Sequence, residues 1–494
     1  MRDERAMGGQ PAILALEALG LARGLLAVVA EVVEGPAWLV GGAVRDALRG
    51  APAPVEDLDI ALPAGSLAAA RRLADRLGAA FVPLGEPHGM ARVVVRTPTP
   101  ALIDLADFRG PSLEADLTGR DVTVDALAVP LDALLGGRAP VIDPTGGLGD
   151  LAARRLRACG PTAFADDPVR VLRLLRLAHA LGFAVEPETE RLARAAVAGL
   201  AAVAAERVRD EVTRWLRLPD TTAVLRDAEA WSVLFTLLPE AVPMRATTQS
   251  APHRFTVWEH SVRALGALEA LLADLALLVP HHSRVAAHFG ESLGSGLTRR
   301  EVLKLAVLLH DVAKPETRSV DPDGRVRFSG HDRLGAERAA AIAARWRWPG
   351  PAARVLERLV RQHLRPMHLG MLAEISRRAR YRFFRDLGDE VSDLVCLTIA
   401  DAAATDDRPP AAVYRGATRA LLDSLLTGQV EAAEEAAEPP LVRGGDVMAA
   451  FGLAAGPEVG RLLARVREAQ ALGLVRTREE ALDWLARQEG SPRG

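Results

Sequence analysis

The hydrophobic period of this chain changes near residue 150, and that change limits the possible folds more than any other feature. Between Gly35-Pro36 and residue 150, short apolar runs (WLV, LDIAL, ARVVVRT, LIDLADF, VTVDALAV, PVID) read as strands and mix with two helical stretches, AVRDALRG and SLAAARRLADRLG. After DPTGGLGDL, apolar residues recur at spacings of three and four through DPVRVLRLLRLAHALGF and AAERVRDEVTRWLRL, as amphipathic helices require. At 494 residues the chain is too long for one core. The expected fold class is α+β. Residues 1–30 would form an N-terminal helix, its helical period running over 13–33, and 31–150 a mixed head. A helical neck (151–245) would end at the Pro/Thr/Ser break 239–254. A helical block (250–405), a linker (406–440) and a helical tail (441–494) would follow, the linker being read from DDRPPAAVY and the solvated EAAEEAAEPP.

Composition narrows the function classes. A formal charge of -3 excludes a globally basic nucleic-acid coat but leaves room for a local positive channel. Cys159 and Cys396 lie far apart in helix-like contexts, so no disulfide framework is expected. The start shows no signal pattern, and no charge-free apolar run reaches the ~20 residues of a membrane span. A cytoplasmic protein with no membrane partner is the expectation.

The stretch AWLVGGAVRDALRG followed by VEDLDIAL carries the clearest chemistry. Asp57 and Asp59, alternating on a strand, share one face and could hold one or two magnesium ions together with phosphate oxygens. The turn before them would offer the backbone N–H groups of Gly41 and Gly42, and the guanidinium of Arg45, to a triphosphate.

These residues resemble the head of class II tRNA nucleotidyltransferases, the CCA-adding enzymes, and of the related bacterial poly(A) polymerases. The likeness continues in order through DLTGRDVTVDALAVPL (116–131), FADDPVRVLRLLRLAHALGF (164–183), AAERVRDEV and LLPE in the neck, and a tail at 444–485. The resemblance implies a polymerase-β-like head followed by an all-helical neck, a further domain and a tail. It implies Asp57 and Asp59 as catalytic metal ligands, with Asp104 a candidate third carboxylate and Asp107 its rival. Arg45 and Asp46 would serve the triphosphate, and Arg120 with Asp121 the sugar and phosphates. Asp167 and Arg170 would read the base, supported by Arg173. A carboxylate and a guanidinium offer complementary acceptor and donor edges, which suit C or A and mismatch G and U. Where the family usually has paired arginines this chain has Gly119-Arg120, and where it usually has Asn this chain has Asp125. The charge of Asp125 would repel phosphate unless a metal or an Arg lies between. The family's usual Glu is Asp166 here.

Residues 250–405 resemble an HD-type metal-dependent phosphohydrolase. The resemblance implies His260, His310, Asp311 and Asp401 as the core ligand set, with His331 and His363 serving a second metal, either magnesium or a divalent transition ion. His88, His179, His253, His281, His282, His288 and His368 lack such a context and read as ordinary histidines.

The function expected is template-independent addition of CMP or AMP to a tRNA 3′ end, using CTP, ATP and Mg2+, with HD-type hydrolysis beside it. A poly(A) polymerase acting on other RNA 3′ ends is one alternative. A phosphohydrolase with a degenerate RNA-binding head is another.

Overall fold

The computed structural model describes residues 12–20, 22–50, 57–85, 89–96 and 100–489. They fall into two units, one within Met1–Glu211 and Asp227–Leu237, the other within Val212–Arg226 and Leu238–Gly494. His88 lies outside the described residues, as do parts of the 1–30 segment.

The first unit is built on a six-stranded sheet in the order Ala80–Gly85, Met90–Val95, Ala101–Asp107, Asp57–Leu62, Trp38–Val40, Ala128–Pro130. Only Asp57–Leu62 and Ala101–Asp107 run parallel, in a register that sets Asp59 opposite Asp104 and Leu62 opposite Asp107. Alternation along the strands divides the core. Leu39, Leu58, Ile60, Ile103 and Leu105 pack on one side with Leu73 of the helix Ser66–Leu77. Val40, Ala61 and Ala128 pack on the other with Leu113 and Leu117 of the helix Leu113–Thr118. Asp57 and Asp59 share the parity of Ala61 and so belong to this second face.

Several local expectations change. Residues 13–15, expected to be helical, form a strand paired with Arg138–Pro140, and the described helix begins only at Ala22. Leu14, Leu16 and Leu26 all enter the first core, and tertiary burial outweighs local helical period there. Within VTVDALAV, Thr123–Asp125 is a tight 3-10 turn, and only Ala128–Pro130 is strand. The strand Ala80–Gly85 was not expected. It lies at the sheet edge, where Pro83 costs no ladder bond.

In the second unit the helices Val257–Ala273 and Val391–Asp406 pack side by side, with Arg299–Leu309 and Gly350–Gln362 against them. The stretch expected as a linker is mostly helix, Pro410–Tyr414 and Arg419–Ala437. Leu422, Leu425 and Leu426 bury a stripe at spacings of three and four, and Ala and Glu are strong helix formers, so the acidic run is an exposed helix end. The helices Gly444–Phe451, Pro457–Ala471 and Arg478–Glu489 share a small core around Val447, Leu462 and Leu485. Among the described residues no helix is long and apolar enough to cross a membrane.

Gly147 opens the short helix Gly147–Ala152, and a Cβ there would overlap the backbone carbonyl oxygen of Thr123. Gly147→Ala should therefore destabilise the protein by about 2–3 kcal/mol. Gly149→Ala, where a Cβ meets nothing, should be neutral or up to about 1 kcal/mol stabilising. Urea midpoints of the two variants check the contrast, and equal midpoints would contradict it.

Candidate active site and metal centre

The acidic residues of the sheet separate by face. Asp59 and Asp104 stand side by side, and Arg92, opposite Asp104 on the neighbouring strand, forks it at 2.8 and 2.7 Å. Asp107, three residues on, faces the other side, where it accepts the Ser66 N–H at 2.8 Å. Asp104 is therefore the carboxylate beside the acidic pair, already balanced by an arginine that sequence reading did not single out. The signal was one Arg inside an apolar strand. Asp57 and Asp59 have no hydrogen-bond or ion-pair partner among the described residues. Burial, the largest influence, pushes Asp59 up to about 6; Arg120 and Arg173 oppose it while Asp104 and Asp57 add to it. A carboxylate in that state is short of positive charge, and the donor set fits a hard divalent cation.

The glycine turn works differently from the expectation. The Gly41 N–H donates to the carbonyl of Leu127 at 3.2 Å, because the sheet ladder extends through this residue, so it is not presented to phosphate. Gly41 is needed for close approach instead. Its φ is +75°, and a Cβ would sit 3.0 Å from Asp59 Oδ2 and 3.3 Å from Arg120 Nη1. Gly42 begins the helix Gly42–Leu48, which carries Arg45.

Arg45 is nearly buried and fully engaged. It forks Asp46 through Nε and Nη2 at 2.9 and 2.8 Å, and its Nη1 donates to Asp125. The other oxygen of Asp125 accepts from Arg173 Nη2 at 2.9 Å, and Arg173 also pairs with Asp121 at 2.5 Å. Five alternating charges, Asp46, Arg45, Asp125, Arg173 and Asp121, thus join the turn to the helix Val169–Leu181. Burial, the largest influence, would raise Asp125, but Arg45 and Arg173 outweigh it and hold the carboxyl at about 2. The repulsion expected of Asp125 is met by these two arginines. Arg120 has the weakest commitments, 3.3 Å to Asp116 and 3.4 Å to the Asp125 carbonyl, and its buried Nε lacks a hydrogen-bond partner.

Asp167 and Arg170 flank the start of the same helix, with Arg170 Nε 3.6 Å from Asp167 Oδ2. Arg170 donates to the carbonyls of Ala163 and Gly119, each at 3.0 Å. Asp167 is forked by Arg207 at 2.9 and 2.7 Å, a residue that sequence reading passed over because 40 positions separate the two. Asp166 is exposed.

In the second unit the histidines and aspartates form two groups, His260/His310/Asp401 and Asp311/His331/His363. In each, the ligand atoms lie within 4.8 Å of one another and could hold a metal ion. Asp311 faces both: its Oδ2 is 3.2 Å from His310 Nε2, and its Oδ1 is 3.4 Å from His331 Nε2. The Nδ1–H groups of His310, His331 and His363 each donate to a carbonyl three residues earlier, Val307, Phe328 and Val360, at 2.7 Å. A carbonyl only accepts, so the proton sits on Nδ1 and Nε2 is left as the ligand atom. Burial lowers His310, yet Asp311 and Asp401 outweigh it and carry it up to about 9. Burial pushes His363 down to about 4, so it stays neutral. Excess carboxylate around oriented Nε2 atoms fits a cation. Lys314 Nζ lies 2.6 Å from Asp311, and His253 stands edge-on to His260 at 5.0 Å; neither was singled out as a site residue. His179 and His288 pair with Asp227 and Asp393.

Comparison with known proteins matches three stretches of the chain. Residues 37–157 match the family model of the poly A polymerase head domain, 182–244 that of the probable RNA and SrmB-binding site of polymerase A, and 257–406 that of the HD domain. The chain is 37% identical over 457 residues to the A-adding tRNA nucleotidyltransferase of Deinococcus radiodurans, covering 91% of this chain and 95% of the relative. It is 35% identical over 457 residues to the CC-adding tRNA nucleotidyltransferase of Thermus thermophilus, covering 91% and 93%. A solved CCA-adding enzyme in complex with ATP shares the fold, with a TM-score of 0.58 at 20% identity, covering 98% of this chain and 99% of that one.

Asp125→Asn would leave Arg45 and Arg173 facing each other with no charge between them, although Asn is the residue expected from the resemblance. At pH 7 it should lose about 3 kcal/mol of stability, read from urea midpoints. Because the folded carboxyl is held at about 2, below its ordinary ~3.9, the wild-type advantage is complete above about pH 4 and shrinks as pH falls towards 2. Equal stability at pH 7 would contradict the pairing.

Proposed function

The chain belongs to the tRNA nucleotidyltransferase family and is an enzyme of nucleotidyl transfer, and we propose that it adds CMP or AMP to the 3′ end of tRNA. The observation that carries this reading is the continuity of the site in the first unit. Arg170, beside Asp167, is bonded to the carbonyl of Gly119; the next residue, Arg120, stands 3.3 Å from the Cβ position of Gly41, and Asp59 stands 3.0 Å from it. Base, triphosphate and acid thus have adjacent partners. Asp57 and Asp59, with Asp104 beside them, would hold Mg2+, which when bound supplies charge for activating the RNA 3′-hydroxyl and for the departing pyrophosphate. Arg120 would take the triphosphate, because Arg45 is engaged by Asp46 and Asp125. Asp167 accepts, so it suits the amino groups of C and A; Arg170 donates, so it suits their ring acceptors. Arginines of the neck and tail would hold the RNA by its backbone.

The second unit would act as a metal-dependent phosphohydrolase on phosphomonoesters or 2′,3′-cyclic nucleotides. Its two ligand groups would hold Mg2+ or divalent transition ions, which supply a metal-bound water as nucleophile when present. Two free cysteines accord with a cytoplasmic setting.

Incubation with tRNAs truncated before the first C, the second C or the final A, each offered one labelled nucleotide, tests the transferase reading. CMP or AMP should enter and GMP or UMP should not; equal use of all four would refute it. Asp57→Ala should lower addition by about a thousandfold or more and spare phosphatase activity, since one ligand of the acidic pair is lost. The His310→Ala, Asp311→Ala variant should do the reverse. If the folded double variant also fails to extend tRNA, the two activities are not separate.

A further inference from the structure

Two groups assigned to one base should not satisfy each other, yet Asp167 and Arg170 are three residues apart at the start of one helix. That spacing ordinarily closes into an ion pair. Here the ion pair stays loose at 3.6 Å, beyond hydrogen-bond distance, and each group is held elsewhere. Arg170 donates to two carbonyls at 3.0 Å, and both oxygens of Asp167 are taken by the planar fork of Arg207, at 2.9 and 2.7 Å. Such a fork fixes the plane of a carboxylate as well as its distance, which a single-point cation does not. A bound carboxylate keeps further lone pairs, so Asp167 can accept from a base amino group while Arg207 holds it.

We infer that Arg207 is the positioning residue for base choice: it parts Asp167 from Arg170 and sets the carboxylate plane towards the nucleotide. This rests on the assignment of Asp167 and Arg170 as base readers. Removal of Arg207 leaves Arg170 as the nearest cation shown for Asp167, and the pair closes on itself. An acceptor and a donor that satisfy each other no longer distinguish the amino groups of C and A from the carbonyls of U and G. The role is not one of stability. The Arg207 side chain is 54% exposed, and an exposed ion pair contributes little to folding.

Full-length wild type, Arg207→Ala, Arg207→Gln, Arg207→Lys and Asp167→Ala are compared on truncated tRNA with each of the four nucleotides, with kcat and KM measured separately and melting followed by circular dichroism. Arg207→Ala and Arg207→Gln should raise KM for the preferred nucleotide about tenfold and cut the preference for C and A over U and G about tenfold. Their kcat at saturation should stay within about threefold and their melting should not shift. Arg207→Lys, which keeps the charge and loses the fork, should recover part of the KM and less of the selectivity. Wild-type selectivity in Arg207→Ala, with selectivity lost in Asp167→Ala, overturns the role of Arg207 and leaves the base-reading assignment standing. Wild-type selectivity in Asp167→Ala overturns that assignment and the inference with it. A fall in kcat with lowered melting and unchanged base preference marks a structural role and also overturns it.

Discussion

The carboxylate of Asp125 is the point on which the nucleotide side of the molecule depends. It is 1% exposed, and an ionised carboxylate so placed is tolerable only with cations against it. Arg45 comes from the helix behind the glycine turn and Arg173 from the helix Val169–Leu181, so one buried charge fixes two elements distant in sequence. The residues assigned to the triphosphate and sugar attach to this centre. Arg45 carries Asp46, Arg173 carries Asp121, and Arg120 donates to the backbone carbonyl of Asp125 itself. An Asp at this position is a consistent choice for a chain that sets two guanidinium groups against it.

The two candidate metal sites share an electrostatic logic and differ in chemistry. Asp57 and Asp59 form a site of bare carboxylates, where burial first, and the neighbouring charges of Asp104 and Asp57 after it, drive Asp59 towards protonation and a cation would reverse it. In the second unit the same demand is written in imidazoles. Three backbone carbonyls hold the Nδ1 protons, so that Nε2 atoms converge on Asp311. Hard oxygen donors suit magnesium, and mixed imidazole and carboxylate donors suit a wider range of ions. Asp311 gives one oxygen to each group, and Lys314 holds it from a third side.

Much of this was legible. The strands WLV and LDIAL could be read because they depend on near neighbours, through a period of two and a glycine turn, and the His-Asp pair in an apolar helix marked the block in which six candidate ligands come together. What was misread depends mostly on distant partners. Residues 13–15 became strand because Arg138–Pro140 offered an edge. Gly41 lost its N–H to Leu127, whereas the acidic stretch after residue 430 is a local misreading, since the stripe of Leu422, Leu425 and Leu426 on its own helix was there to be read.

The sequence by itself determined the α+β order of the chain, the family, and the residue types that the chemistry requires, because these follow from local periodicity and from motifs a few residues long. Only the tertiary structure decided which charges meet. Asp104 rather than Asp107 stands beside Asp59 because parallel register and strand parity set the faces. Arg45 is engaged and Arg120 less so, Asp125 is neutralised twice, and Asp167 is held by Arg207. The pairings of Asp125 with Arg45 and Arg173 and of Asp167 with Arg207 span tens of residues, and Coulomb energy depends on distance in space, to which distance along the chain is no guide.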